Sequence, residues 1–284
     1  MTNTRAGAPR GAVAALRERW PSLPWHGLRE THGAFHHVLL LPPVLALRLR
    51  TGAGHDAAVQ REHEIAAALT AAGLPVPGPL LSPVHTADWS AAAVTFVDGE
   101  AREASDWSED RAHVLPLLEA WAAAGHTHRQ LGTRLPPARS WCGGARWPTL
   151  VDEMTAGHPS IREAARCRIA DVLELEAAVE PSAVHGDLGP HNLLWDVSGR
   201  PTLIDTDHAA WADPAIDVAP LLAHHPRAEL AADLPAAVLD RAAAHRRALS
   251  LQVAAAAQLR GDHALRDHAL RNFARRVRSG DPQW

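Results

Sequence analysis

The chain has 284 residues, of which 46% are hydrophobic, so it can form one large domain or two smaller units that share a site. Its 28 basic and 32 acidic residues give a formal net charge of −4, which excludes a strongly basic surface for nucleic acid or anionic lipid. This charge balance favours a small-molecule partner. The two cysteines, Cys142 and Cys167, are too few for a disulfide framework and are typical of a reducing cytoplasm.

Neither a signal peptide nor a membrane span is predicted. The first twenty residues lack a continuous apolar core, and the strongest apolar run, VLLLPPVLAL, is interrupted by Pro42 and Pro43. We therefore expect a cytoplasmic protein that binds neither membrane nor nucleic acid. The sequence also contains no lysine, which excludes a lysine-bearing P-loop and requires arginine for any phosphate clamp.

The sequence pattern in the first third of the chain indicates mostly strands. Residues 25–50 predict a hairpin or meander that turns at the Pro42-Pro43 pair. The segment DAAVQREHEIAAALTAAGL has apolar residues at helical spacing and ends at Gly73, with Pro75 following, which predicts a helix. The next segment, SAAAVTFVDGE, predicts a buried strand that ends in a glycine turn.

The remainder predicts helices, interrupted by one hairpin. Helical patterns cover residues 108–131 and 161–179 and nearly everything after Pro226. The hairpin is LLWDVSGRPTLID, with the turn Asp-Val-Ser-Gly. We therefore predict an α+β fold with a small β-rich N-terminal lobe, 1–97, and a larger helical C-terminal lobe, 98–284, joined by a hinge at about 95–100.

One polar cluster has the spacing of a phosphoryl-transfer site. His185-Gly-Asp187-Leu-Gly-Pro-His-Asn192 follows the kinase catalytic loop H-R-D-L-x-x-x-N, with Gly186 in place of arginine. Asp187 supplies an acceptor for a hydroxyl proton, and Asn192 supplies an oxygen ligand for Mg²⁺. The hairpin then brings a second oxygen ligand, Asp205, to the same place. Aspartate and asparagine are also common in turns, but this combination favours chemistry over turn formation.

Residues 184–222, VHGDLGPHNLLWDVSGRPTLIDTDHAAWADPAIDVAPLL, resemble the aminoglycoside phosphotransferase family of small-molecule kinases. They follow its H-G-D-x-x-x-x-N, I-D and D-P-x-x-D-x-A patterns, with Ala212 where the family usually has glycine. The resemblance implies a bilobal protein-kinase-like fold and a reaction that uses ATP, or GTP, with Mg²⁺. It also implies roles for five residues. Asp187 orients the acceptor hydroxyl, Mg²⁺ is held by Asn192 and Asp205, and the catalytic loop is supported by His185 and Asp217. The role of Asp207 stays open.

Weaker likenesses place a nucleotide site in the N-terminal lobe. Gly33 lies where the family has its phosphate-covering loop, although a plain hairpin turn fits equally well. Arg48 lies where the family has lysine or arginine against the phosphates, and Glu62, or else Glu64, lies where its partner acid stands. At the hinge, backbone groups of two residues are expected to meet the adenine edge: Thr95 and Val97.

Other chemistries have less support. GAGHDA, residues 52–57, fits a dinucleotide-binding fingerprint, but the proline-rich LPVPGPLLSP that follows argues against the second parallel strand that such a unit needs. The nineteen histidines include no zinc-binding spacing, so we expect no metal site built from them. The ten tryptophans are scattered without basic residues between them, which indicates packing, and the absence of G-x-S-x-G argues against an α/β-hydrolase.

The acceptor is the least determined feature. An acidic stretch follows the hinge and would attract a polycationic antibiotic, although a solvated helix start explains it equally well: Asp98, Glu100, Glu103, Asp106, Glu109, Asp110. The C-terminal helices are basic instead: Arg260, Arg266, Arg271, Arg275, Arg276, Arg278. The segment GAFHHVLL is similar to the glycine-loop segment of the viomycin and capreomycin phosphotransferases.

We therefore predict an O-phosphotransferase that acts on a hydroxylated antibiotic, with a basic cyclic peptide such as viomycin or capreomycin favoured over an aminoglycoside. Macrolides, metabolic acceptors such as homoserine or choline, and a catalytically silent kinase-like binding protein are the alternatives. The oligomeric state is left open.

Overall fold

The computed structural model describes residues 8–32, 36–102 and 106–280. The chain forms two compact units, and neither is one continuous stretch. The first unit comprises residues 1–102 together with Pro190–Thr206, and the second comprises 103–189 together with 207–284. The predicted lobes, 1–97 and 98–284, stay a prediction. The compact units differ from them mainly by the segment 190–206, which belongs to the first unit.

The main sheet of the first unit is antiparallel throughout, with the order β1-β2-β3-β5-β4 among the described strands. Its strands are β1 (Arg29–His32), β2 (His37–Leu41), β3 (Leu45–Thr51), β4 (Pro79–His85) and β5 (Trp89–Thr95). The predicted meander and buried strand are therefore both present. No parallel pair occurs among these described strands, which removes the dinucleotide-binding alternative for the segment 52–57.

The proline-rich segment LPVPGPLLSP, which argues against a second parallel strand, continues into the antiparallel strand β4. The strand lies at the edge of the sheet, and its pairing with β5 shifts register twice, between Pro79 and Leu81 and between Leu81 and Val84. An edge strand tolerates proline because an N–H on its outer side needs no partner strand. The prolines therefore indicate an edge position and not the absence of a strand.

The two faces of this sheet are chemically different. Leucines 45, 47 and 49 of β3 are buried in a core that includes Leu16 of helix α1 (Ala12–Arg19). Side chains alternate along a strand, so Arg48 and Arg50 lie on the opposite face. Helix α2 (His55–Ala71) lies on that face, since its Glu62 contacts Arg50. The charged face of the sheet is thus covered by α2.

A second, smaller sheet completes the first unit. It contains β6 (Glu100–Ala101), β8 (Leu193–Trp195) and β9 (Pro201–Leu203), in the order β6-β8-β9 among the described residues. Strands β8 and β9 form the predicted hairpin, with Gly199 in the left-handed conformation at its turn (φ 77°). The N–H of Leu203 donates to the carbonyl of Pro75 at 3.0 Å, which ties the hairpin to the rest of the unit.

The second unit is mostly helical, as predicted. Its helices are α3 (Trp107–Thr127), α4 (Arg129–Arg134), α5 (Trp147–Thr155), α6 (Pro159–Ala177), α7 (Ala215–Val218), α8 (Leu221–His224), α9 (Arg227–Leu230), α10 (Ala236–Leu259) and α11 (His263–Ser279). Two short antiparallel strands accompany them, β7 (Ser182–Val184) and β10 (Ala210–Ala212). The core includes Trp147, Val151, Val172, Leu251 and Phe273. None of the described helices combines the length and the apolar character that crossing a membrane requires.

Candidate active site

The predicted catalytic loop follows strand β7 and is held by one buried carboxylate. Asp217 of α7 is 2% exposed, and its two oxygens accept the backbone N–H groups of His185 at 2.8 Å and Gly186 at 2.7 Å. The pKa of Asp217 is raised to about 7. Burial is the main cause and the charge of nearby Asp187 adds to it, whereas the two N–H donors act in the opposite direction. Both oxygens of Asp217 are thus used to fix the loop.

Glycine at position 186 has a steric explanation. Its φ of 84° lies in the left-handed region, and a Cβ placed there would lie 2.2 Å from the carbonyl oxygen of His208. No side chain fits such an approach. The arginine that stands at this position in the protein-kinase pattern is therefore excluded by the backbone of this chain.

The buried side chain of His185 accepts a hydrogen bond from the backbone of its own loop. It is fully buried, and its ring meets the edge of Trp121 with the centroids 5.4 Å apart. The N–H of Asp187 donates to Nδ1 of His185 at 3.3 Å. Asp187 itself is half-buried, so its backbone is fixed while part of its side chain stays accessible.

The hairpin of the first unit brings Asn192 and Asp205 together. Leu193 pairs with Leu203, and one position further the N–H of Ile204 donates to the carbonyl of Asn192 at 2.8 Å. Asp205, the next residue, therefore leaves the hairpin beside Asn192. Asn192 is 4% exposed, and Asp205 has a φ of 62°, an uncommon conformation that aspartate tolerates better than most residues.

Arg48 links the main sheet to this hairpin. Its NH2 group donates to Oδ1 of Asp205 at 2.8 Å and lies 3.3 Å from Nδ1 of His36. The side chain of Arg48 is 15% exposed and that of Asp205 is 37% exposed, so the ion pair is partly shielded from water. The predicted phosphate-binding arginine and one predicted metal ligand are thus in direct contact.

Glu62 belongs to the same cluster, whereas Glu64 does not. The Glu62 carboxylate forms an ion pair with Arg50 and lies 3.3 Å from Nε2 of His36. Burial raises the pKa of Glu62, but the hydrogen bond with His36 and the charges of Arg48 and Arg50 outweigh it and lower the pKa overall. Glu64 is exposed and accepts a hydrogen bond from Gln60.

Sequence reasoning missed two members of this cluster, His36 and Arg50. A signal for Arg50 existed, because in LALRLR it lies two residues after Arg48 and therefore on the same face of β3. His36 is 5% exposed and lies between Arg48 and Glu62, within 3.3 Å of both. Nothing in the local sequence predicts its contact with a glutamate 26 residues away.

The remaining predicted residues have different surroundings. The N–H of Thr95 donates to the carbonyl of Gly78 at 2.8 Å, and the Thr95 hydroxyl accepts the Gly78 N–H at 3.0 Å. Because its N–H is already bonded, the backbone group of Thr95 left for the predicted adenine contact is its carbonyl. Val97 follows β5 and is half-buried. Asp207 lies in the short turn Thr206–His208 of the second unit. Gly33 lies outside the described residues.

The model of the phosphotransferase enzyme family matches residues 42–251, so the chain belongs to this family. A search of the curated proteins finds no match. The GDP complex of aminoglycoside 2'-phosphotransferase-IIIa is 16% identical, covers 93% of this chain and 96% of its own, and has a TM-score of 0.71. The gentamicin complex of APH(2")-IIa is 12% identical, covers 95% of this chain and 97% of its own, and has a TM-score of 0.68. A thermostable APH(4)-Ia mutant with ADP and hygromycin B is 16% identical, covers 95% of this chain and 99% of its own, and has a TM-score of 0.63.

The family match confirms the predicted family and an enzyme that transfers a phosphoryl group to a hydroxyl. The solved structures confirm the α+β kinase-like fold. At these identities the solved structures establish the fold alone. The viomycin and capreomycin branch stays a prediction.

Proposed function

We propose that the protein transfers the γ-phosphoryl group of ATP or GTP to a hydroxyl of a small polycationic antibiotic, in a reaction that requires Mg²⁺. The observation that carries this proposal lies within the first unit. Arg48 donates to Asp205 at 2.8 Å, and Asp205 leaves the hairpin beside the buried Asn192. This arrangement supports a site in which Arg48 binds phosphate and Asn192 and Asp205 supply hard oxygen donors.

The donor set fits a magnesium nucleotide. Carboxylate and amide oxygens are the protein ligands that Mg²⁺ prefers, and Asp205 and Asn192 supply one of each. Bound there, Mg²⁺ would neutralise charge on the transferring phosphates. Arg48 and Arg50 offer planar guanidinium groups that suit phosphate oxygens in a chain without lysine. Glu62, kept ionised by its cationic neighbours, holds Arg50 on this face of the sheet.

Asp187 would orient the acceptor hydroxyl and accept its proton. Phosphoryl transfer depends mainly on positioning and charge stabilisation, so a fixed backbone matters as much as the carboxylate itself. In this chain the N–H groups of His185, Gly186 and Asp187 are all bonded to buried side chains. Asp217 and His185 therefore act as positioning residues in this proposal.

The acceptor proposal rests on the acidic stretch and on the antibiotics in the similar structures. Asp98, Asp106 and Glu109 are exposed, as are the residues of β6, so they can attract a polycation. Asp110 is buried, unlike these exposed acids: it is 6% exposed, and its carboxylate lies 4.0 Å from Nε2 of His225. Basic cyclic peptides and aminoglycosides are both polycationic, and both remain in the proposal.

A cytoplasmic reaction is part of the proposal. Cys142 and Cys167 are free thiols, and Cys167 is exposed, which suits a reducing compartment.

The proposal is tested with purified protein, MgATP or MgGTP, and a panel of acceptors. The panel contains viomycin, capreomycin, gentamicin, hygromycin B, a macrolide, homoserine and choline. We expect nucleotide consumption with at least one polycationic antibiotic and a product heavier by one phosphoryl group in mass spectrometry. Phosphorylation of homoserine or choline alone would contradict the antibiotic assignment, and nucleotide binding without any product would contradict the catalytic one.

A further inference from the structure

A pair of stacked aromatic rings lies in the second unit. The rings of Trp141 and His208 are nearly parallel, at an angle of 20°, with their centroids 4.4 Å apart. Both residues are half-buried, so the pair lies at the edge of the core and not within it. Rings that stack at such a distance attract each other and restrict each other's orientation. Trp141 therefore limits the conformations that are open to His208.

The pairing of β7 with β10 brings His208 to the catalytic loop. Ala210 pairs with Val184, and continuing this antiparallel register by two residues sets His208 opposite Gly186. The close approach of the His208 carbonyl to Gly186 agrees with this register. The backbone at Gly186 thus has two close neighbours, the Asp217 carboxylate, which accepts its N–H, and the backbone of His208.

Trp141 is itself held by the helical core of the second unit. It lies in the short turn Ser140–Cys142, where the carbonyl of Arg139 accepts the N–H of Cys142 at 2.9 Å. Arg139 is 8% exposed and forms a bidentate ion pair with Glu176 of α6, and Cys142 is fully buried in the core. The stack therefore connects a fixed part of the unit to His208.

From these contacts we infer that Trp141 is a positioning residue for phosphoryl transfer and acts on Asp187 through His208. This inference rests on the role proposed above for Asp187. Gly186 immediately precedes Asp187, so a shift of the backbone that His208 contacts also shifts the carboxylate. A displacement of about 1 Å can lower a rate by about 10²-fold. The hydrogen bonds that Asp217 accepts do not involve Trp141, so loss of the stack should loosen the loop without unfolding it.

The kinetic test compares Trp141→Ala with Trp141→Phe, which keeps a flat ring. With the panel antibiotic that gives the highest kcat/KM, the kcat of Trp141→Ala should fall by about tenfold or more, whereas that of Trp141→Phe should stay within about threefold of the wild type. The KM values of nucleotide and antibiotic should change by less than about twofold, because a positioning residue contacts neither. An unchanged kcat, or a raised antibiotic KM at unchanged kcat, would overturn the inference.

A control separates positioning from a general loss of stability. Trp25→Ala removes a half-buried tryptophan of the first unit and should leave kcat as in the wild type. Urea unfolding identifies a Trp141→Ala protein that fails to fold. Trp141→Leu, which keeps an apolar side chain but no stack, then takes its place, with the same kinetic result expected.

A double-mutant cycle tests whether Trp141 acts through His208. If it does, adding Trp141→Ala to His208→Ala should lower kcat no further than His208→Ala alone. Two losses that multiply would show that the residues act independently and would contradict the inference.

Hydrogen exchange in the peptide that covers residues 184–189 tests the inference without an acceptor. Its amides should exchange up to about tenfold faster in Trp141→Ala than in the wild type, and at nearly the wild-type rate in Trp141→Phe. Equal exchange in Trp141→Ala and the wild type would contradict the inference even if an antibiotic is phosphorylated. A loop that loosens in a protein without any turnover would support the contact and contradict only the proposed function.

Discussion

The two predicted parts of the active site are held in different ways. In the first unit, Arg48, Arg50, Glu62 and His36 form a cluster of polar and charged groups that contact one another, and Arg48 also contacts Asp205. In the second unit, the loop that carries Asp187 is held through backbone N–H groups by the buried Asp217 and His185. Ion pairs can exchange partners when a charged ligand enters, whereas buried backbone hydrogen bonds keep one geometry. The proposed nucleotide side is thus adaptable, and the proposed acceptor side is rigid.

The largest effect is expected from Asp187→Asn. If the rigid loop orients this carboxylate for catalysis, the kcat of the variant should fall by about 10²–10⁴-fold, because the variant lacks the acceptor for the hydroxyl proton. The nucleotide dissociation constant should hardly change. Steady-state kinetics and nucleotide titration measure the two quantities, with Asp240→Asn, at an exposed position of α10, as control. A kcat near that of the wild type would remove Asp187 from the proposed mechanism.

The rigidity of the loop is tested by Gly186→Ala. The added Cβ would meet the His208 carbonyl at 2.2 Å in a left-handed backbone, so we expect a loss of about 3 kcal/mol or more in the free energy of unfolding. Gly199→Ala is the matched control. It has a similar φ of 77° with open space around it, and should lose only about 1–2 kcal/mol. Equal losses in urea unfolding would show that the close approach to His208 is unimportant.

The buried acid that holds the loop should also give the protein a pH-dependent stability. The folded-state pKa of Asp217 is about 7, above the ordinary value of 3.8 for aspartate, so the folded state retains a proton that the unfolded state releases. Its contribution is therefore fully present below about pH 4 and is lost as the pH rises through about 7. The non-titrating Asp217→Asn variant lacks this change.

Urea unfolding of both proteins between pH 5 and 8 measures the effect. The stability of the wild type relative to Asp217→Asn should fall with rising pH by at most about 1.4 kcal/mol per unit and level off above about pH 8. A difference that rises with pH would mean that the folded-state pKa is lowered and not raised.

The smallest effect is expected from Arg48→Lys in the proposed nucleotide site. Lysine keeps the charge but loses the planar fork, so we expect the nucleotide KM to rise by about tenfold with a smaller change in kcat. Arg29→Lys, at an exposed position of β1, should change neither. An Arg48→Lys enzyme with the KM of the wild type would show that its contacts with phosphate need no guanidinium group.

Local patterns in the sequence predicted the parts that depend on local physics. The meander, the helix that became α2, the β8–β9 hairpin and the motif from His185 to Asn192 all have periodicity or turn residues that can be seen in a short stretch. The family resemblance added the role proposed for Asp217. It could not predict the steric reason for Gly186, which depends on the carbonyl of His208.

Features that depend on tertiary packing were missed or misjudged. The edge position of β4 cannot be seen in its own residues, and the burial of Asp110 depends on the distant His225. The contact between His55 and Asp56 is local, but that of Asp56 with His85 depends on the pairing of β4 with β5.

The magnesium dependence of turnover in Asp205→Asn tests the proposed nucleotide site most directly. Asparagine tolerates the left-handed backbone at this position but lacks the charge that the metal needs. We predict that the Mg²⁺ concentration for half-maximal turnover rises by about tenfold or more, while the KM of the acceptor stays the same. An unchanged magnesium dependence would contradict the assignment of Asp205 as the ligand of the nucleotide-bound metal.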